Sequence, residues 1–277
     1  MVTFPRKDFI MHPLWIVLIV VAVLLLLLTI MFKPRNQVNT DWEPFQSYVY
    51  AHRGFHNIKN GIPENSLAAF ARAVESGYGI ELDVQLSADR VPVVFHDFDL
   101  KRMCGVDARV SSYTYEQLKE LKLADTDQKI PTLEEVLTLV DGKVPLIIEY
   151  KVEGIDFSVC PISNALLKNY QGLYMVESFN PIVLSWYRSN RNDVVRGRLS
   201  DGKLMMNGTT RPDFIAFNHE KSGNVWFLLT TQFFKAKPVA WTVRSQVELD
   251  KAKADFDIFI FEGFTPNNRS VKTIDKK

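Results

Sequence analysis

Two short β-rich runs of this chain carry charge at a spacing of two, Glu81-x-Asp83 in GIELDV and Glu149-x-Lys151 in PLIIEYK. Alternate residues of a strand share a face, so each run presents its charges together on one side. Carboxylates turned into an apolar frame cost several kcal/mol each unless they are paired or bind a cation. A divalent metal held by Glu81, Asp83 and Glu149 removes that cost for all three. The set offers only oxygen ligands, with no cysteine and no His-x-x-x-His spacing, so a hard cation, Ca²⁺ or Mg²⁺, suits it better than zinc. The alternative is ion pairing, Glu81 or Asp83 with Arg53 and Glu149 with Lys151; three carboxylates at strand ends favour the metal.

Other groups at the ends of β runs complete a chemistry. His52 closes YVYAH and His96 closes PVVFH, and two imidazoles can divide the roles of general base and general acid. Arg53 and Lys151 add fixed positive charge suited to a phosphate that gains charge in its transition state. Metal, acid–base pair and cations together describe phosphodiester cleavage. Trp241 and Phe179 are candidates for an apolar wall of the substrate pocket, whereas His12, His56 and His219 read as ordinary structural histidines.

The elements that must position these residues follow from the hydrophobic pattern. Strand-like runs fall at residues 48–52, 79–84, 145–151, 174–179, 194–199, 214–218, 239–243 and 257–263. Helical periods lie between several of them, clearest at 66–76, 132–140 and 181–189. Strands alternating with helices imply right-handed crossovers in a parallel sheet, and eight such units predict an α/β fold of the TIM (β/α)8 barrel type, whose active sites lie at the C-terminal ends of the strands. A further β-like run at 92–96 follows the second strand after only four residues, Ser87 to Arg90, too few for a parallel crossover, and is expected to turn back as an antiparallel hairpin.

The stretches AHRGFHNIKNGIPENSLAAFARAVESGYGIELDVQLSADRVPVVFHDFDL and IPTLEEVL followed by PLIIEYK resemble the glycerophosphodiester phosphodiesterase family across residues 48–151. His-Arg-Gly, Pro-Glu-Asn, Glu-x-Asp and His-Asp in this order form a specific signature. Here Pro63-Glu64-Asn65 is followed by Ser66, where the family motif has threonine, and serine caps a helix as readily. The resemblance implies a TIM barrel and a Ca²⁺ or Mg²⁺ ion at Glu81, Asp83 and Glu149. It also implies acid–base work at His52 and His96, phosphate contacts from Arg53 and Lys151, and cleavage of glycerophosphodiesters to glycerol 3-phosphate and an alcohol. Two alternatives use the same residues: a lysophospholipase D drawing lysophospholipids from a bilayer, and an inactive membrane-tethered binding domain, against which stands the occupation of every polar position the chemistry needs.

Lysine and arginine total 33 against 32 aspartates and glutamates, so no global field favours nucleic acid and an anionic substrate must be drawn by local charge. The run from Pro13 to Phe32 carries no charge and, at about 1.5 Å per residue, matches a hydrocarbon core of about 30 Å. It predicts an uncleaved single-pass transmembrane helix at a membrane, with Arg6 and Lys7 balanced by Lys33 and Arg35 so that the side of the catalytic domain stays open. The expected organisation is a tail at 1–12, the span at 13–32, a linker at 33–47 and the barrel at 48–277. On that reading no barrel element precedes residue 33, and deletion of 1–32 leaves the fold intact.

Overall fold

The computed structural model describes residues 12–35, 40–203 and 206–267. Eight parallel strands close on themselves, β1 (Tyr50–Ala51), β2 (Gly79–Leu86), β4 (Leu146–Tyr150), β5 (Tyr174–Ser178), β6 (Arg196–Ser200), β7 (Phe214–Asn218), β8 (Lys237–Val243) and β9 (Ile258–Phe261). Short β1 pairs with both β2 and β9, which seals the barrel. The remaining strand, β3 (Pro92–Val94), pairs antiparallel with β2 as the hairpin expected from its short connection. The fold is the TIM barrel that the alternation of strands and helices predicts.

Period two sorts each strand into an outer and an inner set. Outward residues such as Ile80, Leu82, Ile148 and Val176 join the large core beneath the helices. Inward residues Tyr50, Ile147, Met175, Phe214, Val239 and Ile258 fill the lower lumen. Two residues further along the same face of β4 and β5, the side chains become charged, Glu149 and Glu177. Gly197 belongs to the inner set, and its bare Cα is what admits the Phe214 ring: a Cβ there would lie 2.0 Å from that ring.

Helix starts are written locally. Ser66 accepts the backbone N–H of Ala69 to open Leu67–Ser76, and Thr132 with Glu135 forms a capping box on Leu133–Val140. Asn180 accepts from Ile182 ahead of Pro181–Asn190. Between β3 and the helix Leu133–Val140 an insertion builds its own small core from Val93, Phe95, Leu100, Val110, Leu118, Leu123 and Ile130. That core fixes the segment carrying His96 against the barrel rim.

The N-terminal helix spans Pro13–Phe32, with His12 accepting from Leu14 and proline in the first turn. Its mean hydropathy is 3.3 and its apolar window is unburied, so by length and composition it is able to cross a membrane. Its last turn is different. Phe32 is buried and stacks on Trp226 at 5.3 Å, while the Met31 carbonyl accepts from Asn207 and Gly208 and the Phe32 carbonyl from the Asn207 side chain. Arg35 then donates to the Asn192 carbonyl at 2.7 Å and pairs with Asp213 at 3.5 Å. The β6–β7 connection, residues 201–213, contains no helix among the described residues, and the end of the N-terminal helix packs where one would lie.

Two expectations therefore change. Residues 40–47, read as linker, hold a short helix, Glu43–Gln46, and bury Trp42 and Phe45 beneath the lumen, with Trp42 edge-on to Phe214 at 6.4 Å. Because Phe32 and the Met31 carbonyl belong to the barrel wall, deletion of 1–32 is not neutral. A chain lacking 1–32 should melt several degrees lower than one lacking only the residues before Leu27, since about 1–3 kcal/mol follows from exposing an aromatic stack and orphaning backbone donors. Thermal denaturation of the two truncations compares them, and equal melting temperatures would show that the helix end contributes nothing to the barrel.

Candidate active site

The upper lumen collects the charged residues. Strand register places Asp83 beside Glu149 and Glu149 beside Glu177, and oxygen atoms of Glu81, Asp83 and Glu149 lie within 4.8 Å of one another, all three residues buried. This is the cluster that the spacing of Glu81-x-Asp83 and Glu149-x-Lys151 predicts. Burial, followed by the charges of Asp83, Glu149 and Glu177, pushes Glu81 well above the usual carboxylate range. Glu149 is pushed up to about 7, chiefly by burial. Burial opposes ionisation of Asp83 too, but His96, Lys151, Arg53 and the Asn65 hydrogen bond outweigh it and hold that carboxyl low.

Both the ion pairs and the cluster exist. Lys151 donates to Glu149 at 2.8 Å and lies 3.7 Å from Asp83. Arg53 sends its backbone N–H to Glu81 at 3.0 Å and its guanidinium to Glu64 at 2.7 Å, with Nε 3.5 Å from Asp83. The Arg53 and Asn65 backbones both sit at φ 53°, a left-handed conformation costing about 1–2 kcal/mol in a residue with a side chain. That geometry turns the Arg53 N–H onto Glu81 and lets Asn65 donate to Asp83 at 2.9 Å.

Even so, the local cations do not satisfy every buried oxygen. Asp83 Oδ1 and Glu177 Oε2 have no hydrogen-bond partner among the described residues. Orphaned carboxylate oxygens in a buried lumen fit a hard divalent cation. Glu81, Asp83 and Glu149 are the residues that would hold it, with Glu177, whose carboxyl burial and Glu149 push well up, behind them.

His52 and His96 flank this cluster as expected. His52 Nε2 is 3.9 Å from Glu81 and its Nδ1 3.6 Å from Glu262. His96 Nδ1 is 2.6 Å from Asp97, which accepts from Arg102 at 2.6 Å, while Gln85 donates to the carbonyls of Phe95 and Asp97 and pins the loop. Burial lowers the pKa of both histidines, against the raising effect of Glu262 on His52 and of Asp83 on His96. Both rings are thus held toward the neutral form. Trp241 stands on β8 beside the lumen, with Phe179 edge-on to it at 5.8 Å and half open to solvent.

Several members of the site are not in the set named from sequence. Glu177 and Glu262 sit at the C-terminal ends of β5 and directly after β9, the same strand-end signal that identified Glu149, and only their mixed surroundings hid them. Glu64, Asp97 and Arg102 form a linked ion-pair chain that braces Arg53 and His96. His56 is also drawn in, its Nε2 3.4 Å from Glu262, so it shares a carboxylate with His52 instead of lying apart.

Glu262 is held far below the usual carboxylate range by His52 and His56, and its charge in turn raises His52. Removing that charge by Glu262→Gln should move the His52 protonation midpoint to lower pH, together with the limb of the rate profile that follows His52. NMR titration of the ring reads this directly. A glutamine variant that loses activity with an unmoved midpoint would make Glu262 a packing residue only.

Comparison with known proteins agrees with this geometry. Residues 52–232 match the model of the glycerophosphoryl diester phosphodiesterase family. A glycerophosphodiester phosphodiesterase of Bacillus altitudinis is 40% identical over 113 residues, covering 38% of this chain and 45% of that protein. Glycerophosphodiester phosphodiesterase 1 of Bos taurus is 29% identical over 198 residues, 67% of this chain and 56% of that protein. The chain spans about half the length of the curated relatives it matches. Among solved structures, a glycerophosphodiester phosphodiesterase from Thermotoga maritima superposes with a TM-score of 0.62 at 27% identity, over 78% of this chain and 94% of that one. A phosphodiesterase of Oleispira antarctica in complex with the product sn-glycerol-3-phosphate shares the fold, with a TM-score of 0.68 at 23% identity over 77% and 92% of the two chains. With a family model covering most of the barrel and its motif residues gathered in one lumen, the chain belongs to the glycerophosphoryl diester phosphodiesterase family.

Proposed function

We propose that the chain hydrolyses glycerophosphodiesters to glycerol 3-phosphate and an alcohol, at a membrane that the Pro13–Phe32 helix crosses, with a divalent cation at Glu81, Asp83 and Glu149. The observation that carries this reading is the meeting of that carboxylate cluster with two imidazoles, His52 and His96, and two half-buried cations, Arg53 and Lys151. When bound, the cation would polarise the phosphoryl group and offset its charge. Arg53 and Lys151 would hold the phosphate oxygens. One histidine takes the proton of the attacking hydroxyl or water as the new P–O bond forms; the other gives a proton to the alcohol as the old P–O bond breaks. Asp97 and Glu262 fix the two rings. Trp241 and Phe179 line an apolar side of the entrance, which suits a substrate whose glycerol carries an acyl chain and so favours lysophospholipids as a second substrate class.

Mass-spectrometric product analysis tests this. The full chain in detergent, supplied with Ca²⁺ or Mg²⁺ and a panel of glycerophosphodiesters and lysophospholipids, should release glycerol 3-phosphate from the first and a phosphorylated glycerolipid from the second. Release of a phosphorylated head group, or no turnover with either ion, would overturn the reading.

A further inference from the structure

Apart from the N-terminal helix, the exposed large apolar side chains are distributed unevenly over the barrel. Ile58, Ile155, Phe157, Phe179, Val225 and Val247 are all exposed, and each lies in or just after a connection that follows the C-terminal end of a strand: β1, β4, β4, β5, β7 and β8 respectively. That end is the mouth. Of the other large apolar residues exposed among the described residues, Leu173 and Phe233 lie at the opposite end, just before strands, and Met206 and Leu228 lie within the β6–β7 and β7–β8 connections. Soluble surfaces scatter such side chains singly; a ring of them around one opening indicates a surface that is covered.

The end of the N-terminal helix shows what lies against that face. Asp213 immediately precedes β7 and Arg196 opens β6, so both mark the floor of the barrel. Gly202 follows β6, and Asn224, which donates to the Gly202 carbonyl, caps the helix Val225–Leu228 that carries Trp226, so these mark the mouth half. Phe32 stacks on Trp226, and three residues later Arg35 pairs with Asp213. The chain descends from mouth to floor between those contacts. The helix before Phe32 therefore leaves the barrel on its mouth side, its large apolar residues from Leu14 to Leu28 all exposed.

We propose that the mouth face of the barrel rests on the bilayer surface, its apolar rim of Ile58, Ile155, Phe157, Phe179, Val225 and Val247 entering the phospholipid headgroup layer. The proposal rests on the reading that Pro13–Phe32 crosses the bilayer, and deepens it: the docked last turn of that helix holds the barrel in one orientation. The phosphodiester-binding lumen then opens onto lipid head groups, so a membrane-resident diester reaches the carboxylate cluster without crossing bulk water. Burial of side chains as exposed as Ile155, at 84%, in the interface supplies the second contact beside the span.

The test uses the full chain in phosphatidylcholine vesicles that carry a nitroxide on the lipid head group. A fluorophore is attached at Ile155→Cys on the rim or at Leu173→Cys on the floor, in a Cys104→Ser background because Cys104 is half-buried and Cys160 is buried. The label at position 155 should be quenched at least severalfold more strongly than the label at position 173. Equal quenching, stronger quenching at 173, or none at either site in protein that floats with the vesicles would overturn the docking. Failure of the protein to float would instead refute the span on which the docking rests.

Discussion

His52→Ala should lower kcat on a water-soluble glycerophosphodiester by about 10²–10⁴-fold, the range typical of a lost general acid or base, with the melting temperature of the protein little changed. The ring lies at the lumen end of β1, its Nε2 toward Glu81 and its Nδ1 toward Glu262, and it contributes to none of the three apolar cores. His96→Ala should act similarly, because Asp97 and Arg102 exist to orient that ring and not to pack it. His56 makes the informative comparison. Among the described residues it meets the site through Glu262, so His56→Ala should cost about tenfold or less, in line with the loss of an orienting partner. Steady-state kinetics on the three variants, each with a circular-dichroism melt, decides the matter. A His56 variant as damaged as the His52 variant would mean that the acid–base pair has been misassigned.

Removal of the divalent cation, or of the residues that would hold it, is expected to have an effect at least as large, and one with a change of sign in stability. Chelation should abolish turnover, and Ca²⁺ or Mg²⁺ should restore it. Glu149→Gln and Asp83→Asn should weaken cation binding by more than about 100-fold, since even outer partners of a metal site are worth 10–100-fold. In chelator the Glu149→Gln protein should melt higher than the unsubstituted chain, because the substitution relieves repulsion among Glu81, Asp83, Glu149 and Glu177 that burial leaves unscreened. At a cation concentration a hundred times Kd the order should reverse, the unsubstituted chain gaining about 2.7 kcal/mol. Glu149, raised to about 7, must give up its proton to a cation, so affinity should fall as pH drops below that value. Calorimetric titration and melts at two cation levels test all of this. Full activity in chelator, or a Glu149→Gln chain that melts lower in chelator, would remove the case for a metal at these carboxylates.

The barrel was legible in the sequence because its signals are local. Short β-rich runs such as GIELDV and FIAFN, helix caps at Ser66, Thr132 and Asn180, and a connection from Ser87 to Arg90 too short to cross over are each settled within a few residues. The nucleus of the site was legible for the same reason, since a strand's period places Glu81 with Asp83 and the barrel architecture sends strand ends to one mouth. What tertiary structure alone decided is which distant charges meet. Glu262 follows the last strand and serves His52 and His56 near the first because the sheet closes. Glu64 bridges Arg53 and Arg102 across an insertion that no periodicity describes. The apolar run at 13–32 declared a helix able to span a bilayer. That its last turn fills the wall left open between β6 and β7, and so leaves from the mouth half, depends on contacts about 175–195 residues apart in the chain, which local sequence pattern does not encode.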